Sequence, residues 1–314
     1  MQSWRKSTTS SYNSAWNKWS IFCKGRSSDP LHPTLVELLE FFTESFEKGL
    51  QYHTLVRYRT AVLSIAHVEG IPQVSSHPLL KRLFRGMFNA RPPQPKYSHA
   101  WDVNLVFNHM RNLGPNNLLP FMVLSQKVAI LLALLSGKRV HSISLLRKSF
   151  MTCYPPGNPS TFSFHISGCE KHTRPQFRGK PLKFWAYPEE ALCPVQALGH
   201  YLCHRDNLSS SDNFFISTTK PYAGAHKDTI SRWIKCFMKN SGVDTTVFSP
   251  HSCRSASTSA ASAAGVSIDE ILEAGDWSNA TTFYKFYRRC VLKEGDEYAN
   301  SILTKSVGQH KHKQ

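Results

Sequence analysis

The sequence predicts a mainly helical protein with one small β-sheet, built as two domains. Three observations carry this reading. Apolar residues recur at three- and four-residue steps through most of the chain. Phe162, Phe164 and Ile166 instead alternate with polar residues, as a half-buried strand does. Arg91-Pro92-Pro93-Gln94-Pro95-Lys96 then interrupts the helical pattern, since closely spaced prolines cannot continue a helix.

Residues 5 to 90 read as four helices. In the first, Tyr12, Ala15, Trp16, Trp19 and Phe22 make one apolar face. Thr34 is a good N-cap for the second, which carries Val36, Leu38, Leu39, Phe42 and Phe46 and stops at Gly49. The third starts near His53 and Thr54 and runs through Val56, Tyr58, Val62, Leu63 and Ala66 to Gly70. The fourth, Pro78 to Asn89, mixes Leu80, Leu83, Phe84 and Phe88 with basic residues. The proline segment reads as an extended linker. The expected division is a helical domain over 1–90, a linker over 91–98, a second domain over 99–304 and a flexible tail over 305–314.

In the second domain Asp102 opens a helix, and Leu124 to Leu135 is apolar enough to be a buried one. The Phe162 strand would pair with Pro181 to Ala186 across a turn holding Lys171, Arg174, Arg178 and Lys180. Helices follow from Pro194 to His204 and from an Asp228 cap, the latter burying Ile230, Trp233, Ile234, Phe237 and Met238. The last third is helical again. There is no internal repeat or low-complexity tract.

Hydrophobic residues make up 41% of the 314 and charged residues 19%, a globular composition that excludes disorder. The net charge of +17 favours a polyanion, most simply nucleic acid, over a merely soluble basic protein. The eight cysteines include no CxxC pair, which argues against a zinc module; no metal or cofactor is expected. Met1 to Arg26 does not read as a signal peptide, and free thiols in a reducing intracellular compartment are expected. The longest apolar run, Val128 to Leu135, is too short to cross a bilayer.

Several residues could carry chemistry. Arg139 follows a buried helix and Gly137, so its planar fork is held on a stiff element and suits a phosphate; the plainer reading is a solvated helix end. Lys171 on the hairpin turn could donate a proton if neighbouring cations lower its pKa, or, with Arg174, Arg178 and Lys180, simply touch a backbone phosphate. His251 and Arg254 share one helix face, with Pro250 suited to the helix start. Trp277, after Gly275-Asp276, offers an indole N–H that donates only. Tyr284 and Tyr287 lie on the following helical segment, and a tyrosine nucleophile would need a base and positive charge nearby. Taken alone, Arg139, the His251–Arg254 pair, Trp277 and the tyrosines read better as packing or surface, and Lys171 reads equally well either way.

Their order is more informative. Arg139, Lys171, His251-x-x-Arg254, Trp277 and Tyr287, in this sequence and rough spacing, resemble the tyrosine recombinase (phage integrase-like) family. Lys171-His172-Thr173-Arg174-Pro175, Leu192-Cys193-Pro194-Val195, Arg254-Ser255-Ala256-Ser257-Thr258 and Asp276-Trp277-Ser278 with Thr282-Phe283-Tyr284-Lys285-Phe286-Tyr287 are most similar to recombinases of eukaryotic DIRS and Ngaro retrotransposons. The resemblance covers almost the whole chain. It implies a helical core-binding (SAM-like) domain followed by an α+β catalytic domain.

It also implies roles. Arg139 and Arg254 would clamp the scissile phosphate, His251 would act as acid/base, and Lys171 would protonate the leaving 5′ oxygen. Trp277 would bond the phosphate where many relatives use histidine, and Tyr287 would attack to form a 3′-phosphotyrosyl link without metal or ATP. The gap from Trp277 to Tyr287 is one residue longer than the common spacing, which leaves Tyr284 a rival. Lys180 and Lys183 rival Lys171, and Lys138 stands where a neutral residue is usual. The chain would close as a clamp on double-stranded DNA, with Arg57, Arg59, Lys81, Arg82 and Arg85 of the front domain against one side. A homotetramer on paired sites and a nuclear address would follow, with no membrane or small-molecule partner. The alternatives are a catalytically silent DNA-binding protein and a type IB topoisomerase-like relaxing enzyme.

Overall fold

The computed structural model describes Trp4 and residues 6–94, 97–166 and 180–291. The chain folds as two compact units, Met1–Lys96 and Tyr97–Gln314.

The first unit holds helices α1 (Lys6–Gly25), α2 (Leu35–Glu47), α3 (Tyr52–Val62) and α4 (Pro78–Ala90). Their apolar stripes meet in one core of Ala15, Trp19, Leu38, Phe42, Leu55, Tyr58, Leu80 and Phe84. Burying each of the larger side chains contributes about 1.5–3 kcal/mol. The polar ends of the buried indoles are satisfied: Trp16 donates to the Ala61 carbonyl and Trp19 to the Pro30 carbonyl. Thr34 caps α2 in a reciprocal capping box with Glu37. The third helix is shorter than its periodicity suggests. It ends at Val62, where the Ser64 hydroxyl bonds the Ala61 carbonyl and competes with the next helical turn. Gly70, in a left-handed conformation, closes a tight turn bridged by Val68 and Ile71 instead of ending a helix.

In the second unit, β1 (His99–Ala100) is followed by α5 (Asn104–Asn112), α6 (Phe121–Ser136) and α7 (Val140–Ser144). Asp102 stands ahead of α5, its carboxylate accepting from the Asn104 N–H. Next comes an antiparallel sheet, β2 (Met151–Tyr154), β3 (Thr161–Phe164) and β4 (Leu182–Trp185), in that spatial order. Phe162 pairs with Phe184 in register. The β3 strand stops short of Ile166, and β2, which has no buried face to betray it, escapes the sequence pattern.

Helices α8 (Pro194–Leu208), α9 (Lys227–Asn240), α10 (Ser252–Ala263), α11 (Ile268–Gly275) and α12 (Ala280–Phe286) follow, then β5 (Cys290–Val291), which pairs in parallel with β1. His226, not Asp228, caps α9, because its ring nitrogen reaches the Asp228 N–H. The axis of the unit is α6, buried from Leu124 to Leu134 and packed against α8, α9 and α10. That burial holds the ends of α6 and α10 together, and the candidate site forms between them. The architecture is mainly α with a small β-sheet, as the sequence predicts.

Candidate active site

The site begins at the C-terminus of α6. Gly137 adopts a left-handed conformation there and turns the chain into Lys138-Arg139. A Cβ on Gly137 would meet the Thr258 methyl of α10 only at ordinary contact distance, so the positive φ is what favours glycine there. Arg139 is the extended N-cap residue of α7. Across from it, Gly275-Asp276-Trp277 ends α11. A Cβ on Gly275 would collide with the Trp277 ring, so only glycine lets the indole fold back over the helix end. Asp276 takes the left-handed position, and its carboxylate pairs with Lys138. Both side chains are nearly buried, at 6% and 11% exposure. Lys138 thus ties the Arg139 loop to the Trp277 loop.

Arg254 lies at the centre, 1% exposed. One terminal nitrogen donates to the Gly137 carbonyl at 2.8 Å, and the other donates to the Gly275 carbonyl. The guanidinium sits 4.1 Å from the centre of the Trp277 ring and 5.1 Å from that of Tyr287. Its Nε and the Trp277 Nε1 are buried donors with no acceptor. Burial lowers the Arg254 pKa to about 10 and the nearby Arg139 charge adds to this, while Tyr287 and Asp276 pull it upward. The guanidinium stays charged at neutral pH. A buried cation near a second cation, with a spare donor, suits an anion.

Tyr287 closes α12. Its ring centre lies 4.5 Å from that of Trp277 and 6.2 Å from that of His251. Its carbonyl accepts from Ser255 Oγ at 2.9 Å and Ser259 Oγ at 2.8 Å, one turn apart on α10. Ser259 Oγ also accepts from the Arg289 N–H. Tyr284 is 49% exposed and lies against Arg288 instead. The fold therefore gathers Tyr287, Trp277, Arg254 and His251. His251 is exposed at the N-cap of α10, just outside the helix that the sequence assigns it to.

The other expected residues are more dispersed. Lys171, Arg174 and Arg178 lie outside the described residues. Lys180 is exposed and paired with Glu273 of α11 at 2.6 Å. Lys183 points outward from β4, beside a groove of about 580 Å³ that Arg111 and Tyr187 also line. In the first unit Arg57, Lys81, Arg82 and Arg85 are exposed. Arg59 is half-buried, its guanidinium 4.6 Å from the Phe84 ring centre. With Lys81, Arg85 and Phe88 it lines a groove of about 390 Å³.

Sequence reasoning misses the Lys138–Asp276 pair and the two serines, because nothing local links such distant residues. It also misses Arg232, Lys235 and Lys239, exposed along α9, although their helical spacing was a usable signal. Among the described residues no cluster of His, Cys, Asp and Glu could hold a metal ion, and no helix is long and apolar enough to cross a membrane.

No family model matches the chain, and no curated protein does. Solved structures do match. A lambda integrase dimer bound to a core site is similar over 94% of this chain and 93% of its own, at 15% identity and a TM-score of 0.57. XerH recombinase bound to its difH substrate is similar over 90% of this chain and 72% of its own, at 13% identity and 0.56. The Tn1549 transposon integrase in complex with transposon right-end DNA is similar over 88% and 85%, at 13% identity and 0.55. The chain shares the fold of these integrases and recombinases, and its own form of that fold is a helical unit followed by a mainly helical unit with a three-stranded antiparallel sheet.

Proposed function

We propose that this protein is a tyrosine recombinase that cleaves and rejoins double-stranded DNA through a 3′-phosphotyrosyl intermediate. One observation carries the reading: the unpartnered, buried donors of Arg254 and Trp277 lie beside the ring of Tyr287. The Tyr287 oxygen attacks the scissile phosphorus, and the bond from phosphorus to the 5′ oxygen breaks. Arg139, Arg254 and Trp277 hold the non-bridging oxygens, whose charge grows as the tyrosine adds. His251 handles the tyrosine proton, and Lys171 supplies one to the 5′ oxygen. Rejoining is the reverse, so the bond energy is retained and no ATP or metal is consumed.

The same proposal takes Arg57, Arg59, Lys81, Arg82 and Arg85, with Arg174, Arg178 and Lys180, as DNA contacts. It takes a mobile genetic element of the DIRS or Ngaro kind as the source. A homotetramer on paired sites and a nuclear address belong to it as well, on the strength of the sequence resemblance.

The test is covalent trapping. The protein is mixed, without metal, with nicked duplexes drawn from the ends of the element that encodes it. A protein–DNA adduct is then sought on denaturing gels. The adduct is expected from the parent chain and from Tyr284→Phe, and not from Tyr287→Phe. Loss with Tyr284→Phe alone would keep the enzyme and move the nucleophile. Salt-sensitive binding without any adduct would favour the silent DNA-binding protein.

A further inference from the structure

The second unit opens with Tyr97-Ser98-His99-Ala100-Trp101, and the two ends of this strap reach the turn that presents His251. The Tyr97 hydroxyl lies 2.8 Å from Ser249 Oγ and accepts from the Ser249 N–H at 3.3 Å. The Trp101 indole, buried, donates to Ser252 Oγ at 2.9 Å. Ser252 Oγ in turn donates to the Ser249 carbonyl at 2.7 Å, closing the turn on itself. His251 sits between the two held serines, one residue before Ser252. The rings of Tyr97 and His99 both pack on Phe248 just upstream, at 5.4 Å between centres. The middle of the strap, His99–Ala100, pairs with Cys290–Val291, three residues beyond Tyr287.

We infer that Tyr97 and Trp101 are positioning residues for His251. His251 is exposed at the N-cap of α10, its carbonyl accepting from the Arg254 N–H at 3.3 Å. The backbone on either side of it sets where its ring starts from, and this backbone is what the strap holds. The hydroxyl of Tyr97 and the indole N–H of Trp101 hold Ser249 and Ser252, the residues on either side of the turn that carries His251. The pairing of β1 with β5 lets the same strap hold the segment that follows Tyr287. An acid/base group displaced by about 1 Å can lose on the order of a hundredfold in rate, so such a brace has consequences well beyond its own contacts.

The inference rests on the proposed strand cleavage, and the experiment separates the two. Adduct formation is timed on a nicked duplex, over hours so that slow chains register. The chains are the parent, Tyr97→Phe, Trp101→Phe, His251→Ala and the two combinations with His251→Ala. Thermal melting and non-covalent binding of the same duplex are measured alongside. Tyr97→Phe removes only a hydroxyl and keeps the ring on Phe248, so it tests the idea even where Trp101→Phe disturbs packing. Each strap substitution is expected to slow adduct formation about tenfold in the parent, with duplex binding unchanged. In the His251→Ala chain it is expected to add less than about twofold, since residues acting through one group are not additive. Equal slowing in both backgrounds would make the strap merely structural, and no slowing in the parent would end the inference. An inactive parent chain would overturn the proposed function, and this inference with it.

Discussion

Among the described residues of the second unit two arginines are buried, and they are held differently. Arg205, at the end of α8, is fully buried and saturated: Nε donates to the Phe214 carbonyl, and the terminal nitrogens donate to the Ser211 and Asn213 carbonyls and the Asp206 carboxylate. Arg254 is as deeply buried, yet it touches two carbonyls and two aromatic rings and keeps a donor without an acceptor. Burial alone therefore does not mark a functional cation. A charge that is neutralised and fully bonded is a staple; one left partly unmatched, beside a second arginine and a tyrosine, is arranged for an anion.

The comparison can be broken by exchanging the outcomes. Arg205→Met removes the partner of three carbonyls and a carboxylate, and is expected to cost about 3–5 kcal/mol of stability. Adduct formation by the molecules that remain folded should be unchanged. Arg254→Lys keeps the charge but loses the planar fork that reaches both the Gly137 and Gly275 carbonyls. It is expected to slow adduct formation by about 10²–10³-fold with a smaller loss of stability. Thermal melts and trapping rates on the two variants decide. If Arg205→Met slows trapping as much as Arg254→Lys, the distinction between staple and anion site is lost.

The same contrast explains what was legible beforehand. The helices were legible because a buried face leaves a period, as in Leu38 and Phe42 or Ile230, Trp233 and Phe237. The Arg–Lys–His–Arg–Trp–Tyr order was legible through a resemblance, its lysine lying outside the described residues. The same resemblance favoured Tyr287 over Tyr284, while the side-by-side placement of the Tyr287, Trp277 and Arg254 side chains depends on how α12 ends and could not be read from spacing. Nor could the tie of Lys138 to Asp276, which joins residues 138 positions apart. Arg205 was invisible too: a basic residue near a helix C-terminus reads as an ordinary solvated end.

Lys127, another buried cation, sharpens the comparison. It is fully buried within α6, and its ammonium donates to Asn116 Oδ1 at 2.8 Å. Burial lowers its pKa from the usual 10.5 to about 8. Below pH 8 both folded and unfolded chains carry the proton, and the folded state bears the cost of the buried charge. Between pH 8 and 10.5 the unfolded chain binds more protons, so this residue makes stability rise with pH. Lys127→Met removes that rise. The stability of the variant relative to the parent should fall by about 1–3 kcal/mol between pH 7.5 and 10.5. A difference that does not change with pH would mean that Lys127 keeps its ordinary pKa, and that burial has little effect on it.

The smallest effects belong to the exposed cations of the first unit, where the logic of the buried ones is reversed. Arg82 stands in solvent on α4, so on the proposed reading it would contribute to DNA binding by charge alone. Arg82→Ala should weaken binding of a short duplex modestly and lower the slope of log affinity against log salt by about 1. At saturating DNA, trapping should proceed at the parent rate. Arg59 differs, because its guanidinium stacks on Phe84. Arg59→Ala should show the same change in salt slope and also lower the melting temperature, since the lost side chain covered apolar surface. Equal salt slopes in Arg82→Ala and the parent would remove Arg82 from the DNA surface, and a melting temperature unchanged by Arg59→Ala would show that its stacking adds nothing to the fold.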